Sequence, residues 1–190
     1  GASHDHPFSP CVVKRYTAHI DTTLPIIAID MGYSANNRSC GFAHSGALAT
    51  RTLHFGECIT ATHELITQHG RHQLVLEAVL STYHRADGNP DIRGDFEKGR
   101  GWYYGPGVAT FAAALRFLQV LDQQLPKAIS PIPLVEGFLS YKKTRTQHCD
   151  DARRLLEEFD TAERFQAREG SEALSDQVAG IPLIIRYNAP

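Results

Sequence analysis

The chain is predicted to fold as an α/β domain built on a mixed β-sheet with helices on both faces. Three observations predict it. Residues 26–31, 74–80 and 132–139 are short, nearly continuous apolar runs, the pattern of central strands buried on both sides. Segments following the last two runs carry apolar residues at helical spacing, and strands joined by helices pair in parallel through right-handed crossovers. Residues 40–55 instead hold two short strand-like segments with Ser45-Gly46 between them, a hairpin signal that turns the first strands into an antiparallel meander.

In chain order, residues 1–24 are polar and weakly periodic, so they are expected to form an N-terminal extension with a short strand at Cys11–Tyr16. A single domain, 25–190, follows. Pro25 precedes the first central strand, 26–31. The Ser-, Asn- and Gly-rich stretch 32–39 is a turn. Strands are expected at Cys40–His44 and Ala47–Phe55, then a helix over Ile59–His69 that stops at Gly70. Leu74–Leu80 is the second central strand. Residues 82–105 form a long aperiodic connection whose aromatics, Trp102-Tyr103-Tyr104, argue against disorder. Pro106 suits a first helical turn, and Val108, Phe111, Ala112, Leu115, Leu118 and Leu121 recur at the spacing of a helix packed on a sheet. Pro131 and Pro133 mark the entry to strand 132–139. A basic link, Lys142-Lys143-Thr144-Arg145, leads to a helix over about 148–168, a turn of helix within 170–180 and a last strand at Ile181–Tyr187.

Composition narrows the function classes. Hydrophobic content of 42% and charged content of 21% are those of an ordinary soluble globular protein. No apolar run of membrane-spanning length occurs, and the first residues carry neither the basic nor the apolar region of a signal peptide. The four cysteines are scattered without a Cys-x-x-Cys pair, which argues against a zinc knuckle and for a reducing, cytoplasmic setting. A net charge of −2 is unlike a non-specific nucleic-acid binder, so attraction to nucleic acid would require a local basic patch together with metal.

The candidate chemistry lies in acids set within apolar runs. Asp30 ends the first central strand, Glu77 sits inside Leu74-Val75-Leu76-Glu77-Ala78-Val79-Leu80, and Glu136 inside Leu134-Val135-Glu136-Gly137-Phe138. A carboxylate in a buried strand is costly unless paired, hydrogen-bonded or metal-bound. His148-Cys149-Asp150-Asp151-Ala152 adds more ligand types at the head of a helix. If the first central strand pairs with the second, Asp30 and Glu77 are neighbours at the carboxyl edge of the sheet, where open α/β sheets bind ligands. Carboxylate oxygens suit Mg²⁺, and Mn²⁺ accepts imidazole as well. Plainer roles compete. Asp30 would cap a turn, Asp150 and Asp151 would be first-turn acids favoured by the helix dipole, Glu136 would pair with Arg100 or Lys142, and His148 would be a surface residue.

The stretch Ile29-Asp30-Met31-Gly32-Tyr33-Ser34, the Glu77 strand and the His148–Ala152 helix head, in that order, resemble the ribonuclease H-like superfamily and within it the RuvC-type Holliday-junction resolvases, as a divergent branch. The resemblance spans roughly residues 26–160 as an order of elements. It implies a ribonuclease H-like mixed five-stranded sheet, a three-strand antiparallel meander plus parallel strands. It also implies a two-metal nuclease that hydrolyses phosphodiester bonds of structured or duplex nucleic acid. Asp30, Glu77 and Asp151 would be catalytic and bind Mg²⁺ or Mn²⁺, with Asp150, His148 and Glu136 as further candidate ligands. Paired ions about 3.5–4 Å apart activate water and stabilise the leaving oxygen. Lys142, Lys143, Arg145 and Arg100 would contact the backbone, with Trp102 and Tyr103 stacking on bases. DNA is favoured over RNA as partner, and the reading leaves room for a homodimer. The alternative is a non-catalytic nucleic-acid-binding or scaffold module that keeps the fold.

Overall fold

The computed structural model describes residues 15–17, 20–21, 23–47, 49–80, 85–91, 105–139, 147–161, 172–173 and 178–182. Strands β1 (Tyr16–Thr17), β2 (Ile26–Asp30), β3 (Cys40–His44) and β4 (Arg51–Leu53) come first. Helix α1 (Phe55–His69) and strand β5 (Gln73–Glu77) follow, then α2 (Pro106–Gln124), β6 (Ile132–Leu139), α3 (His148–Thr161), β7 (Glu172–Ala173) and β8 (Val178–Pro182). Across the sheet the order is β4-β3-β2-β5-β6-β8-β7, with β1 added on β6. The β2–β3 and β3–β4 pairs are antiparallel, whereas β2–β5 and β5–β6 are parallel. The protein is therefore an α/β fold with a mixed sheet. The first long strand lies centrally, and β5 is its parallel neighbour.

All five residues of β2 are buried, as the continuous apolar run requires of a strand covered on both sides. One face packs Ile27, Ile29, Leu74, Leu76, Ile132 and Leu134 under α1 and α2. The opposite face packs Ile26, Ala28, Ala43, Val75 and Val135 under Ala152, Leu155, Leu156 and Phe159 of α3. The alternation within each strand assigns every side chain to one helix layer or the other. Each fully buried aliphatic side chain contributes roughly 1.5–3 kcal/mol.

Several boundaries differ from expectation. Helix α1 begins at Phe55 rather than Ile59, because Glu57 Oε1 accepts the His54 backbone N–H at 3.1 Å and satisfies the helix start. Gly70 closes the helix, its N–H donating to Ile66 O at 2.8 Å. The 47–55 strand shortens to Arg51–Leu53. Residues 172–173 and 178–182 are strands, correcting the expected turn of helix: they form an antiparallel hairpin that β6 extends, Glu136 pairing with Ile181. The central five-strand arrangement is thus lengthened at the β6 side. Residues 15–17 are not a loose extension. Tyr16 pairs with Ile132, and its hydroxyl donates to Leu118 O at 2.9 Å. Arg15, buried, bonds to Asp122 and donates to the carbonyls of Leu125, Pro126 and Ile129, capping the end of α2. Among the described residues no helix is long and apolar enough to cross a membrane.

Candidate metal centre

The parallel register sets Asp30 directly beside Glu77, each the last residue of its strand. Gly41 on β3 and Gly137 on β6 complete the same row, so two acids stand between two glycines across the sheet. The row faces α3. A side chain at Gly41 would collide with backbone: its Cβ would lie 1.9 Å from the His148 carbonyl oxygen. A Cβ at Gly137 would lie 2.9 Å from Leu155 Cδ2. Both glycines therefore let α3 settle close against the sheet, its first turn over the strand ends. Glycine inside a strand often marks such a close approach.

Helix α3 then delivers Asp151. Its buried stripe is Asp151, Ala152, Leu155, Leu156 and Phe159, spaced one turn apart, and the acid at its head is carried into the interface with the apolar residues. Asp30, Glu77 and Asp151 each offer a carboxylate oxygen, and these atoms all lie within 4.8 Å of one another. Asp30 is 8% exposed, Asp151 5%, and Glu77 is half-buried. Three like charges at this separation repel unless a cation or protons intervene.

His148 completes the rim. Its Nδ1 lies 2.6 Å from Asp30 Oδ2 while half of its side chain remains exposed. The hydrogen bond to Asp30, reinforced by the Asp30 and Asp151 charges, raises its pKa above the usual histidine value against the opposing effect of burial. The turn after Asp30 is pinned on its other side. Cys40 Sγ donates to Gly32 O at 3.2 Å, and Ser39 Oγ accepts the Ser34 N–H at 3.1 Å.

Two expected ligands do not join the cluster. Glu136 is fully buried but pairs in register with Leu76, so it points to the α1–α2 face, away from the acids. There it accepts the backbone N–H of Leu80, which holds the chain just beyond β5. Asp150 is exposed and stands outside the group, one residue off the buried stripe of α3. Arg100, Trp102, Tyr103, Lys142, Lys143 and Arg145 lie outside the described residues. Gly41 and Gly137 were not foreseen as parts of the site. Their signal was a glycine inside each of two apolar strands.

The donor set fits a hard divalent cation, since it consists of carboxylate oxygens from three elements meeting at one point. Oxygens bound to one Mg²⁺ at about 2.0–2.1 Å lie about 2.9 Å apart when adjacent and about 4.2 Å apart when opposite, so binding would draw the three acids closer together. Comparison with protein-family models, with curated proteins and with solved structures gives no match.

Proposed function

We propose that the protein is a metal-dependent nuclease of ribonuclease H-like fold that hydrolyses phosphodiester bonds. One observation carries the proposal: Asp30, Glu77 and Asp151, from β2, β5 and α3, bring their oxygens within 4.8 Å of one another at the carboxyl ends of adjacent parallel strands. Three carboxylates converge on one point, with His148 bonded to Asp30 at the rim. The antiparallel meander beside parallel strands, with the first long strand central, supports the same family reading.

In this account Asp30, Glu77 and Asp151 hold Mg²⁺ or Mn²⁺. The cation, when bound, supplies Lewis-acid polarisation of the phosphate and a nucleophilic water at neutral pH. His148 holds Asp30 in one orientation and is exposed enough to exchange protons with solvent. The near-zero net charge leaves little general attraction for a polyanion, so substrate binding depends on the centre and a local patch. Lys142, Lys143 and Arg145 are the residues proposed for that patch.

The test is cleavage of duplex, branched and DNA–RNA hybrid substrates in Mn²⁺, with Asp30→Asn and Asp151→Asn as controls. Cleavage that needs Mn²⁺ and fails in both variants is expected. Wild-type rates in either variant would remove the assignment, and metal binding without cleavage would favour the non-catalytic module.

A further inference from the structure

A second cluster of metal-ligating side chains occupies the opposite end of the sheet. His44 closes β3 and His72 precedes β5, and their Nε2 atoms face each other at 3.0 Å. The rings lie 5.1 Å apart, centre to centre, tilted by 38°. His72 is fully buried; His44 is partly exposed beside the Ser45-Gly46 turn.

The hydrogen bonds determine which nitrogens carry protons. His72 Nδ1 lies 2.8 Å from the Gly70 carbonyl, which has only lone pairs to offer, so Nδ1 bears the hydrogen. His72 Nε2 then accepts and His44 Nε2 donates across the 3.0 Å contact, so a metal entering here requires the His44 hydrogen to move to its Nδ1. A far nitrogen that donates to a backbone carbonyl is how histidines that bind transition metals are oriented. Burial holds both imidazoles below the usual histidine pKa, and the neighbouring His69 pushes the same way. Both therefore stay neutral, the form that coordinates. His72 also follows closely on the C-terminus of α1, where the helix dipole favours a cation.

We propose that His44 and His72 form a binding site for a borderline transition metal, Zn²⁺ or Cu²⁺, separate from the carboxylate centre and selective against Mg²⁺. Two imidazole nitrogens on a tetrahedral Zn²⁺ at about 2.0–2.1 Å lie about 3.3 Å apart, close to the 3.0 Å of the pair, and each ring must also turn so that its lone pair meets the ion. Water completes the shell. The imidazole pair discriminates against Mg²⁺, whereas the carboxylate centre can take Mg²⁺, Mn²⁺ or Zn²⁺, so the two sites are told apart by variants rather than by metal alone. The proposal does not depend on the nuclease assignment.

The experiment is calorimetric titration of the full chain with Zn²⁺ in Mg²⁺-containing buffer, together with pulsed electron paramagnetic resonance of the Cu²⁺-loaded protein. A saturable Zn²⁺ site that persists in Asp30→Asn, and a Cu²⁺ spectrum carrying two imidazole nitrogens, are expected. His44→Ala should weaken Zn²⁺ binding by about ten-fold or more, because it removes a ligand. Asp30→Asn should leave that binding unchanged. His44→Gln serves if the alanine variant does not fold, and the wild-type spectrum is independent of either. Wild-type affinity in the His44 variants would place the metal elsewhere, for instance on His4 and His6, and would overturn the proposal. So would a Cu²⁺ spectrum without paired imidazoles.

Discussion

Removing one charge from the acidic cluster should make the metal-free protein more stable while destroying its response to metal. Asp151→Asn is the cleanest perturbation, because it keeps shape and spares the His148–Asp30 hydrogen bond. With carboxylate oxygens within 4.8 Å of one another, each pair of full charges repels by roughly 3 kcal/mol at an effective dielectric of about 20. Partial solvent access reduces that figure. Asn also gives up about 0.3–1 kcal/mol of favourable helix-dipole interaction near the start of α3. The repulsive contribution is larger, so a net gain of about 1–3 kcal/mol is expected, or roughly 2–10 °C in melting temperature for a chain of this size. In the wild type, Mn²⁺ at about 100 times its dissociation constant should add about 2.7 kcal/mol. Calorimetric melting in a chelator and in Mn²⁺ reads both effects. A variant that melts lower than wild type in chelator, yet gains as much from Mn²⁺, would refute the reasoning.

Other predictions follow from the same geometry. Gly41→Ala forces a Cβ onto the His148 carbonyl, so α3 must shift; about 1–3 kcal/mol of stability and a weaker Mn²⁺ isotherm are expected from denaturant melts and calorimetry. Glu136→Gln should leave Mn²⁺ affinity at the wild-type value, because that carboxylate serves Leu80 on the other face; a lost isotherm would contradict its exclusion from the centre. Arg15→Ala leaves Asp122 and the end of α2 unserved and should cost about 3–5 kcal/mol in urea unfolding. In chelator, the raised pKa of His148 means its contribution to stability is complete below the unfolded histidine pKa and is lost as pH rises through the folded value. Wild type minus His148→Gln stability, measured across that range, should therefore fall with increasing pH; a difference that rises with pH would reverse the assignment.

Much of the fold was legible because its strands are buried on both faces. Such strands declare themselves as unbroken apolar runs, and β2 and β6 were located to within a residue or two on that basis alone. The hairpin β7–β8 was not, since an edge hairpin needs no such run. Helix α1 was begun late because its start depends on Glu57 reaching back to His54, not on apolar period. Asp30 and Glu77 were legible as costly acids in apolar strands, and their adjacency followed from parallel pairing. Asp151 was legible through the resemblance, with Asp150 beside it as a further candidate ligand, and burial separates the two. Only Asp151 belongs to the helical stripe continued by Ala152, Leu155, Leu156 and Phe159. Glu136 misled because period-two alternation makes face a matter of one-residue register, and the register of β6 against β5 is set by the assembled sheet. The His44–His72 pair was invisible for a similar reason: the two residues are far apart in sequence and meet at the edge of β2, which lies between their strands.

The most direct measurement is anomalous diffraction from crystals soaked in Mn²⁺. The account predicts a peak bonded to oxygens of Asp30, Glu77 and Asp151, and its loss in Asp151→Asn. A soaked crystal with no density between these three side chains, or with Mn²⁺ bound only elsewhere, would contradict it.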